Sequence, residues 1–434
     1  MTGTGVLDAI NHKRGGGQLS AGQIEAAVHG YLTDAVPDYQ MAALLMAIAC
    51  RGMTSSETVA LTQTLAGPTR LRLGDERFVA DKHSTGGVGD KTTLVLAPLL
   101  AAVGVPVAKM SGRGLEHAGG TIDKLEAITG LRLPGTAAQM RAALAATGFA
   151  ITGQTGDLAP GDGALYRLRD VTGTVESIPL IAASIMSKKI AAGASALVLD
   201  VKTGSGALTA SPDDALHLAK LMVDIGTGAG LPTRAVVSAM DQPLGHAVGN
   251  ALEVAEAIAA LRGEPVPGLV PLTLHLAGLL AQQAWPNRSP EDIHQELTGT
   301  LHDGRAFTAL RRWVAHHGGD TTQIDHPDRL PQAARIETVT APVGGWIARI
   351  DAATLGRTCQ LLGAGRTRLD QPINHAVGLR LRIGVGRQIG AGAPLLDLHL
   401  PADADADHIT GQVLAAITVT DTAVPQPPLI LHTL

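Results

Sequence analysis

Two stretches of this chain carry residues suited to holding an oxyanion. Lys82-His83-Ser84-Thr85-Gly86-Gly87-Val88-Gly89-Asp90 sets an ammonium, an imidazole and hydroxyls at the mouth of a glycine-rich loop. An apolar run, 94–103, follows directly and reads as a helix. Free backbone N–H groups and the dipole at a helix N-terminus favour phosphate. About thirty residues on, Lys109-Met110-Ser111-Gly112-Arg113-Gly114 through Gly119-Gly120-Thr121 repeats the recipe. Two such loops in succession suggest one large phosphate or phosphate-ester site. The nine lysines (Lys13, Lys82, Lys91, Lys109, Lys124, Lys188, Lys189, Lys202 and Lys220) stand against 25 arginines, and none follows position 220. Either composition has drifted and clustered by chance, or some sites need a compact ammonium that a planar guanidinium cannot replace.

The elements that must position these residues follow from pattern and bulk composition. At 434 residues the chain exceeds one ordinary core, so two or three domains are expected. Aromatics are only 2% of a chain that is 45% hydrophobic, so the core must be built from Ala, Leu, Val and Ile. A net charge of −5 and a pI near 6.3 argue against general nucleic-acid binding. Cys50 and Cys359 alone make no disulfide framework. Residues 1–17 hold no apolar core of signal-peptide length, and the longest apolar run, 94–108, is broken by Pro98, Gly104 and Pro106. These features read as a soluble cytoplasmic protein with no membrane partner.

Residues 5–66 read as helices, for example 21–33, 39–51 and 56–65, with Ser20 and Ser55 or Ser56 as caps. Apolar runs 78–80 and 105–108 each precede a loop and a helix, the alternation of an α/β sheet. A helix over 177–192, a buried strand over 196–201, a helix over 213–226, a strand over 235–239 and helices over 251–261, 272–284 and 290–301 follow. From Glu337 short β runs alternate with glycine, in a texture that resembles biotinyl and lipoyl carrier folds. Such carriers need a modifiable lysine at a hairpin tip, and this region has none, so it reads as a structural α+β domain. The fold class expected is therefore α/β and α+β multidomain: a small helical domain, a larger α/β domain with glycine-rich phosphate loops, and a C-terminal α+β domain.

Four long segments in order carry a family resemblance. They are Asp81 to Asp90; Ser111-Gly112-Arg113-Gly114-Leu115-Glu116-His117-Ala118-Gly119-Gly120-Thr121-Ile122-Asp123-Lys124-Leu125-Glu126; Tyr166-Arg167-Leu168-Arg169-Asp170-Val171-Thr172; and Ser177-Ile178-Pro179-Leu180-Ile181-Ala182-Ala183-Ser184-Ile185-Met186-Ser187-Lys188-Lys189. Together they closely resemble the thymidine and pyrimidine-nucleoside phosphorylases, and the likeness runs from Pro37 to Arg366. The resemblance implies phosphorolysis: nucleoside plus phosphate gives free pyrimidine and pentose 1-phosphate. That chemistry needs phosphate held below the anomeric carbon, a sugar allowed to develop oxocarbenium-like charge, and donors aimed at the departing base. No organic cofactor is required.

By resemblance the phosphate contacts are Lys82, Ser84, Thr93, Lys109, Ser111 and Thr121. On the residues alone, Thr93 and Thr121 have an alternative role as helix caps. Ile181, Ser184, Ile185 and Lys188 fall at spacings 0, 3, 4 and 7, one helix face suited to sandwiching a flat ring and meeting its polar edge. An ordinary core stripe has the same spacing. The resemblance places Arg169 and Lys188 on the pyrimidine carbonyl edge with Tyr166 beside them; a salt bridge from Arg169 to Asp170 is the alternative. His83 is the acid–base candidate, facing the pyrimidine by resemblance, or else a residue that only orders its loop. His117 is left structural. Relatives hold a potassium ion at positions matching Gly89, Leu244, Ala247 and Glu256. Lys91 stands where such relatives can carry Thr, and its ammonium would either substitute for the ion or crowd it.

Glu116 and Ala118 replace the family's usual Gly and Thr, and Leu208 stands where some relatives have Phe. These departures put substrate preference and efficiency in question more than reaction class. Ala108-Lys109-Met110-Ser111 is worded more like the broad-specificity enzymes, so uridine is expected as a substrate beside thymidine and deoxyuridine. The readings set against this one are a thymidine-only phosphorylase, an anthranilate-type phosphoribosyltransferase needing magnesium, and a non-catalytic pyrimidine or phosphate sensor. The resemblance further implies a homodimer joined through a helical domain of 1–66 plus 165–194, an α/β domain of 67–164 plus 195–330, and a third domain of 331–434. Phosphate would bind the second and pyrimidine the first, with domain closure excluding water.

Overall fold

Apolar faces that cannot be left in water sort the chain into three packed regions. The computed structural model describes residues 3–434 apart from 69, 72, 74–77, 115–118, 154–158, 367 and 369–370, so Glu116, His117 and Ala118 lie outside the described residues. Four helices come first: Gly3–Arg14, Ala21–Leu32, Asp38–Arg51 and Ser55–Ala66. Ser20 caps the second in a reciprocal capping box with Gln23. The fourth is capped by Thr54 with Glu57, one residue before the serines expected from sequence. Threonine there satisfies the Glu57 N–H as well as a serine would, and Glu57 returns the bond to the Thr54 N–H. The bundle's core of Ile24, Leu44, Leu45, Ile48, Leu61 and Leu65 also takes in Leu165, Leu168, Leu180 and Ala183 from the later helices Pro160–Asp170 and Ile178–Ala192. Those two helices therefore pack as part of the helical region.

The central sheet has six strands. Five are parallel: β1 (Ala80–Ser84), β2 (Val107–Met110), β3 (Phe149–Thr152), β4 (Ala196–Thr203) and β5 (Thr233–Ala239). The apolar run 78–80 marks only the entrance to β1, whose body is the polar Ala-Asp-Lys-His-Ser. Those polar residues are tolerated inside the sheet because each charge meets an opposite one, as shown below. β3 and the helix before it, Ala137–Thr147, went unread in the sequence. Both faces of the sheet are covered by helices, and the largest core gathers Leu96, Leu99, Leu100, Val198, Ile258, Leu276 and Trp313. Such burial is worth about 1.5–3 kcal/mol per large aliphatic side chain.

The C-terminal region is α+β, with the short β6 (Ala247–Val248) contributed from the loop after β5. Its other strands are β7 (Arg335–Thr340), β8 (Gly345–Ile350), β9 (Gly378–Leu381), β10 (Gln388–Ile389), β11 (Pro394–Leu400) and β12 (Ile417–Thr420). They form two antiparallel sheets, β6-β9-β11-β7 and β10-β8-β12. The final strand, β13 (Ile430–Thr433), leaves this region and pairs antiparallel with β5, completing the central order β13-β5-β4-β1-β2-β3. The chain therefore crosses between the two regions three times more than a single division at 331 implies.

Candidate active site

The parallel strands end on one edge of the sheet, and the chain reverses its direction of travel across the sheet there. It moves outward from β1 through β2 to β3, then returns to β4 on the other side of β1. Ligands of open parallel sheets bind beyond the carboxyl ends of the strands at such a reversal. The first glycine-rich loop leaves β1 at Ser84 and the second leaves β2 at Met110, both from this edge.

Alternation along β1 puts Asp81 and His83 on one face, with Lys82 and Ser84 on the other. Asp81 is buried and takes Lys189 Nζ at 2.9 and 3.1 Å, fastening the helix Ile178–Ala192 to the strand. Lys82 is fully buried: Nζ donates to Thr92 Oγ1 at 2.6 Å and lies 3.3 Å from Asp200 Oδ2 and 3.8 Å from Asp90 Oδ2. Ser84 Oγ donates to Asp90 Oδ2 at 2.5 Å, and the Thr92 hydroxyl and N–H donate to Asp90 Oδ1. Burial works to raise the Asp90 carboxyl, but Lys82, Lys202 and Lys124 outweigh it and hold that carboxyl well below the usual range. Lys82, expected as a phosphate contact, is enclosed among these groups. Its ammonium has no exposed surface and faces two carboxylates, of which Asp200 is shared with Lys202 Nζ at 2.6 Å.

The opposite is true of three neighbouring groups. Lys109, on β2, is buried, and its Nζ donates to the Lys82 carbonyl at 3.0 Å. Burial first, then Lys189 and Lys82, push the Lys109 ammonium well below its ordinary pKa. Ser111 Oγ and His83 Nε2 are shielded from solvent and have no hydrogen-bond partner among the described residues. Burial and the surrounding Lys189, Lys109, Lys82 and Lys188 drive the His83 imidazole well below the usual histidine range, so it is neutral at pH 7. Cationic surroundings together with unmatched buried polar atoms leave a place for an anion.

Thr93 is buried in the first turn of the helix Thr92–Ala102, and Thr121 opens the helix Thr121–Leu125 half-buried. Neither caps its helix, since the cap positions are Lys91 and Gly120.

On the helix Ile178–Ala192, Ile181, Ile185 and Lys188 are half-buried, and Ser184 between them is buried. Lys188 Nζ pairs with Asp162 and donates to Ser184 Oγ at 3.2 Å. Arg169 makes no ion pair to Asp170. Its guanidinium donates to the carbonyls of Thr174, Val175 and Leu180 at 3.3, 2.9 and 3.0 Å, clamping the segment that leads into the helix. Tyr166, half-buried, has its ring 5.8 Å below that guanidinium. Leu208 is 52% exposed.

Leu244, Ala247 and Glu256 do converge, but on an ammonium, and Gly89 packs close against the Leu244 carbonyl. Lys91 Nζ sits 2.9 Å from Leu244 O, 2.8 Å from Ala247 O and 2.5 Å from Glu256 Oε2. These residues do not fit a potassium ion, because Lys91 already occupies the centre of the ligand set.

Sequence reasoning passed over the carboxylates Asp81, Asp90, Asp162 and Asp200. The available signal was the lysines themselves, because a buried ammonium demands a buried partner. It also passed over a link between regions. Arg366 Nη1 lies 2.7 Å from Asp123 Oδ1, and the other oxygen of Asp123 accepts from Gly114 N in the second loop at 2.5 Å.

Residues 7–67 match the glycosyl transferase family helical bundle domain, and residues 76–307 match that family's a/b domain. The chain belongs to this glycosyl transferase family. Residues 346–420 match the pyrimidine nucleoside phosphorylase C-terminal domain. Pyrimidine-nucleoside phosphorylases from Geobacillus stearothermophilus and Bacillus subtilis strain 168 are 46% and 45% identical to it, over 98% and 99% of each chain respectively. Within the larger family it is thus a member of the pyrimidine-nucleoside phosphorylase family. Anthranilate phosphoribosyltransferase from Thermus thermophilus shares the fold, with a TM-score of 0.56 over 71% of this chain and 98% of its own, at 22% identity.

Proposed function

We propose that this protein cleaves thymidine, deoxyuridine and uridine with inorganic phosphate, releasing the pyrimidine and a pentose 1-phosphate. One observation carries the reading: Lys109 of β2 donates to the Lys82 carbonyl at 3.0 Å and Lys189 of the helix Ile178–Ala192 holds Asp81 at 2.9 Å, so phosphate-type and base-type elements meet on the strand that carries His83. The family relationship supports the same conclusion.

Phosphate takes the place between the loops, held by Lys109 and Ser111, with Ser84, Thr93 and Thr121 around it. Lys82 serves it indirectly, through the carbonyl that holds Lys109. Lys188, Ser184, Arg169 and Tyr166 orient the pyrimidine. A phosphate oxygen bonds to the anomeric carbon as the carbon–nitrogen bond breaks, and the electron pair leaves on the base. Neutral His83 keeps one N–H and donates it to a base carbonyl, where negative charge collects. The enzyme needs no organic cofactor and works as a cytoplasmic homodimer. Leu7, Tyr39 and Met46, exposed on helices Gly3–Arg14 and Asp38–Arg51, are apolar surface suited to a second copy.

The test is base release from thymidine and from uridine, with and without phosphate. Phosphate-dependent release from both is expected. Release from thymidine alone refutes the uridine assignment, and release from neither, or release requiring magnesium and phosphoribosyl pyrophosphate, refutes the reading.

A further inference from the structure

Three segments distant in sequence meet at one buried nitrogen. The Lys91 side chain has no exposed surface, and its three N–H bonds are all used, on Leu244 O, Ala247 O and Glu256 Oε2. Glu256 in turn accepts the N–H groups of His246 at 2.8 Å and Ala247 at 3.1 Å. Gly89 and Gly245, both at positive φ, close tightly around the cluster. A Cβ on Gly89 would stand 2.9 Å from Leu244 O, and one on Gly245 would stand 2.5 Å from Glu256 Oε2 and 3.3 Å from Lys91 Nζ. Two backbone carbonyls and a carboxylate are the oxygen set that suits a hard cation. Here the cation is part of the chain.

We propose that the Lys91 ammonium is a built-in monovalent cation that fastens the first glycine-rich loop to the 244–247 loop and the helix Asn250–Leu261, making the protein independent of free potassium. Ala247 also pairs with Arg380 across β6 and β9, so the same point ties the phosphate-loop region to the C-terminal sheet. A tethered ammonium cannot dissociate, and the junction holds whatever the surrounding salt.

The test compares the intact protein with Lys91→Thr and Lys91→Met in potassium, sodium and choline chloride at equal ionic strength. Thermal midpoint and phosphate-dependent turnover are read in each. The midpoint does not depend on the nucleoside reading, so failure of that reading stays distinguishable. The unaltered protein is expected to vary by less than about twofold in turnover among the salts, with one midpoint. Lys91→Thr, which supplies a hydroxyl and vacates the centre, is expected to lose stability in choline and regain it saturably with potassium, as a bound ligand requires. Lys91→Met, with no added oxygen, is expected to be destabilised equally in all three. A potassium requirement in the unaltered protein overturns the proposal, as does a folded Lys91→Thr indifferent to salt. Should Lys91→Thr not fold in choline, its refolding yield is read instead: recovery in potassium supports the proposal, and no recovery overturns it.

Discussion

Replacing Lys109 with methionine separates holding a substrate from holding the fold. In the free protein the Lys109 ammonium is buried, has a carbonyl for its one hydrogen bond among the described residues, and is repelled by Lys189 and Lys82. Its pKa is depressed by folding, so between the folded value and the ordinary lysine value the unfolded chain binds the extra proton. Stability therefore rises with pH through that window and is penalised at pH 7. Methionine fills a similar volume and removes the penalty, so Lys109→Met should unfold no earlier than the unaltered protein at pH 7, and its stability should depend less on pH up to about 10. Phosphate binding should respond in the opposite sense. A unit charge pair at 4 Å is worth about 4 kcal/mol at an effective dielectric near 20. Even half of that, about 2 kcal/mol, raises KM for phosphate roughly thirty-fold. The assay pairs thermal unfolding across pH with initial rates over phosphate concentration at saturating thymidine. A Lys109→Met protein that melts several degrees lower and keeps its phosphate KM would show Lys109 to be structural and refute the reasoning.

Three further outcomes are expected. His83→Ala should lower kcat about 10²- to 10⁴-fold, and the folded protein should become less sensitive to acid, because the unfolded chain no longer gains a proton at His83 below its ordinary pKa near 6.5; both are read from pH profiles of rate and stability. Lys189→Met strands Asp81, 1% exposed, without its partner and should cost about 3–5 kcal/mol in urea unfolding; the double replacement Asp81→Leu with Lys189→Met should recover most of it. Arg366→Ala loosens Asp123 and through it the Gly114 N–H, so it should raise KM for phosphate roughly five- to thirty-fold, about 1–2 kcal/mol, with kcat less affected in steady-state rates.

The layered architecture was legible because its signals are local. Glycine loops between apolar runs gave the α/β region, and helical periodicity gave the bundle. β1 was placed two residues early because its body, Asp81 to Ser84, is polar, and polarity inside a sheet is read correctly only once Lys189 and Asp200 are known to face it. The face formed by Ile181, Ser184, Ile185 and Lys188 followed from spacing alone, since helix geometry fixes which residues align. The division of labour among the lysines did not. Lys91 is set apart by resemblance, but Lys82 and Lys109 read alike as phosphate contacts, yet one faces aspartates and the other is left with a carbonyl. These roles depend on partners up to 165 positions away, such as Glu256 for Lys91.

The pairing of β13 with β5 has a consequence for the order in which the molecule is made. About 190 residues separate Ala239 from Ile430, and at synthesis rates of about 5–20 residues per second they take roughly 10–40 seconds to emerge. Throughout that interval the outer edge of β5, with the apolar Ala235, Val236 and Val237, presents unpaired backbone groups to any other strand nearby. The nascent chain must protect this edge, and crowded ribosomes making many copies at once are where neighbouring chains would join through it.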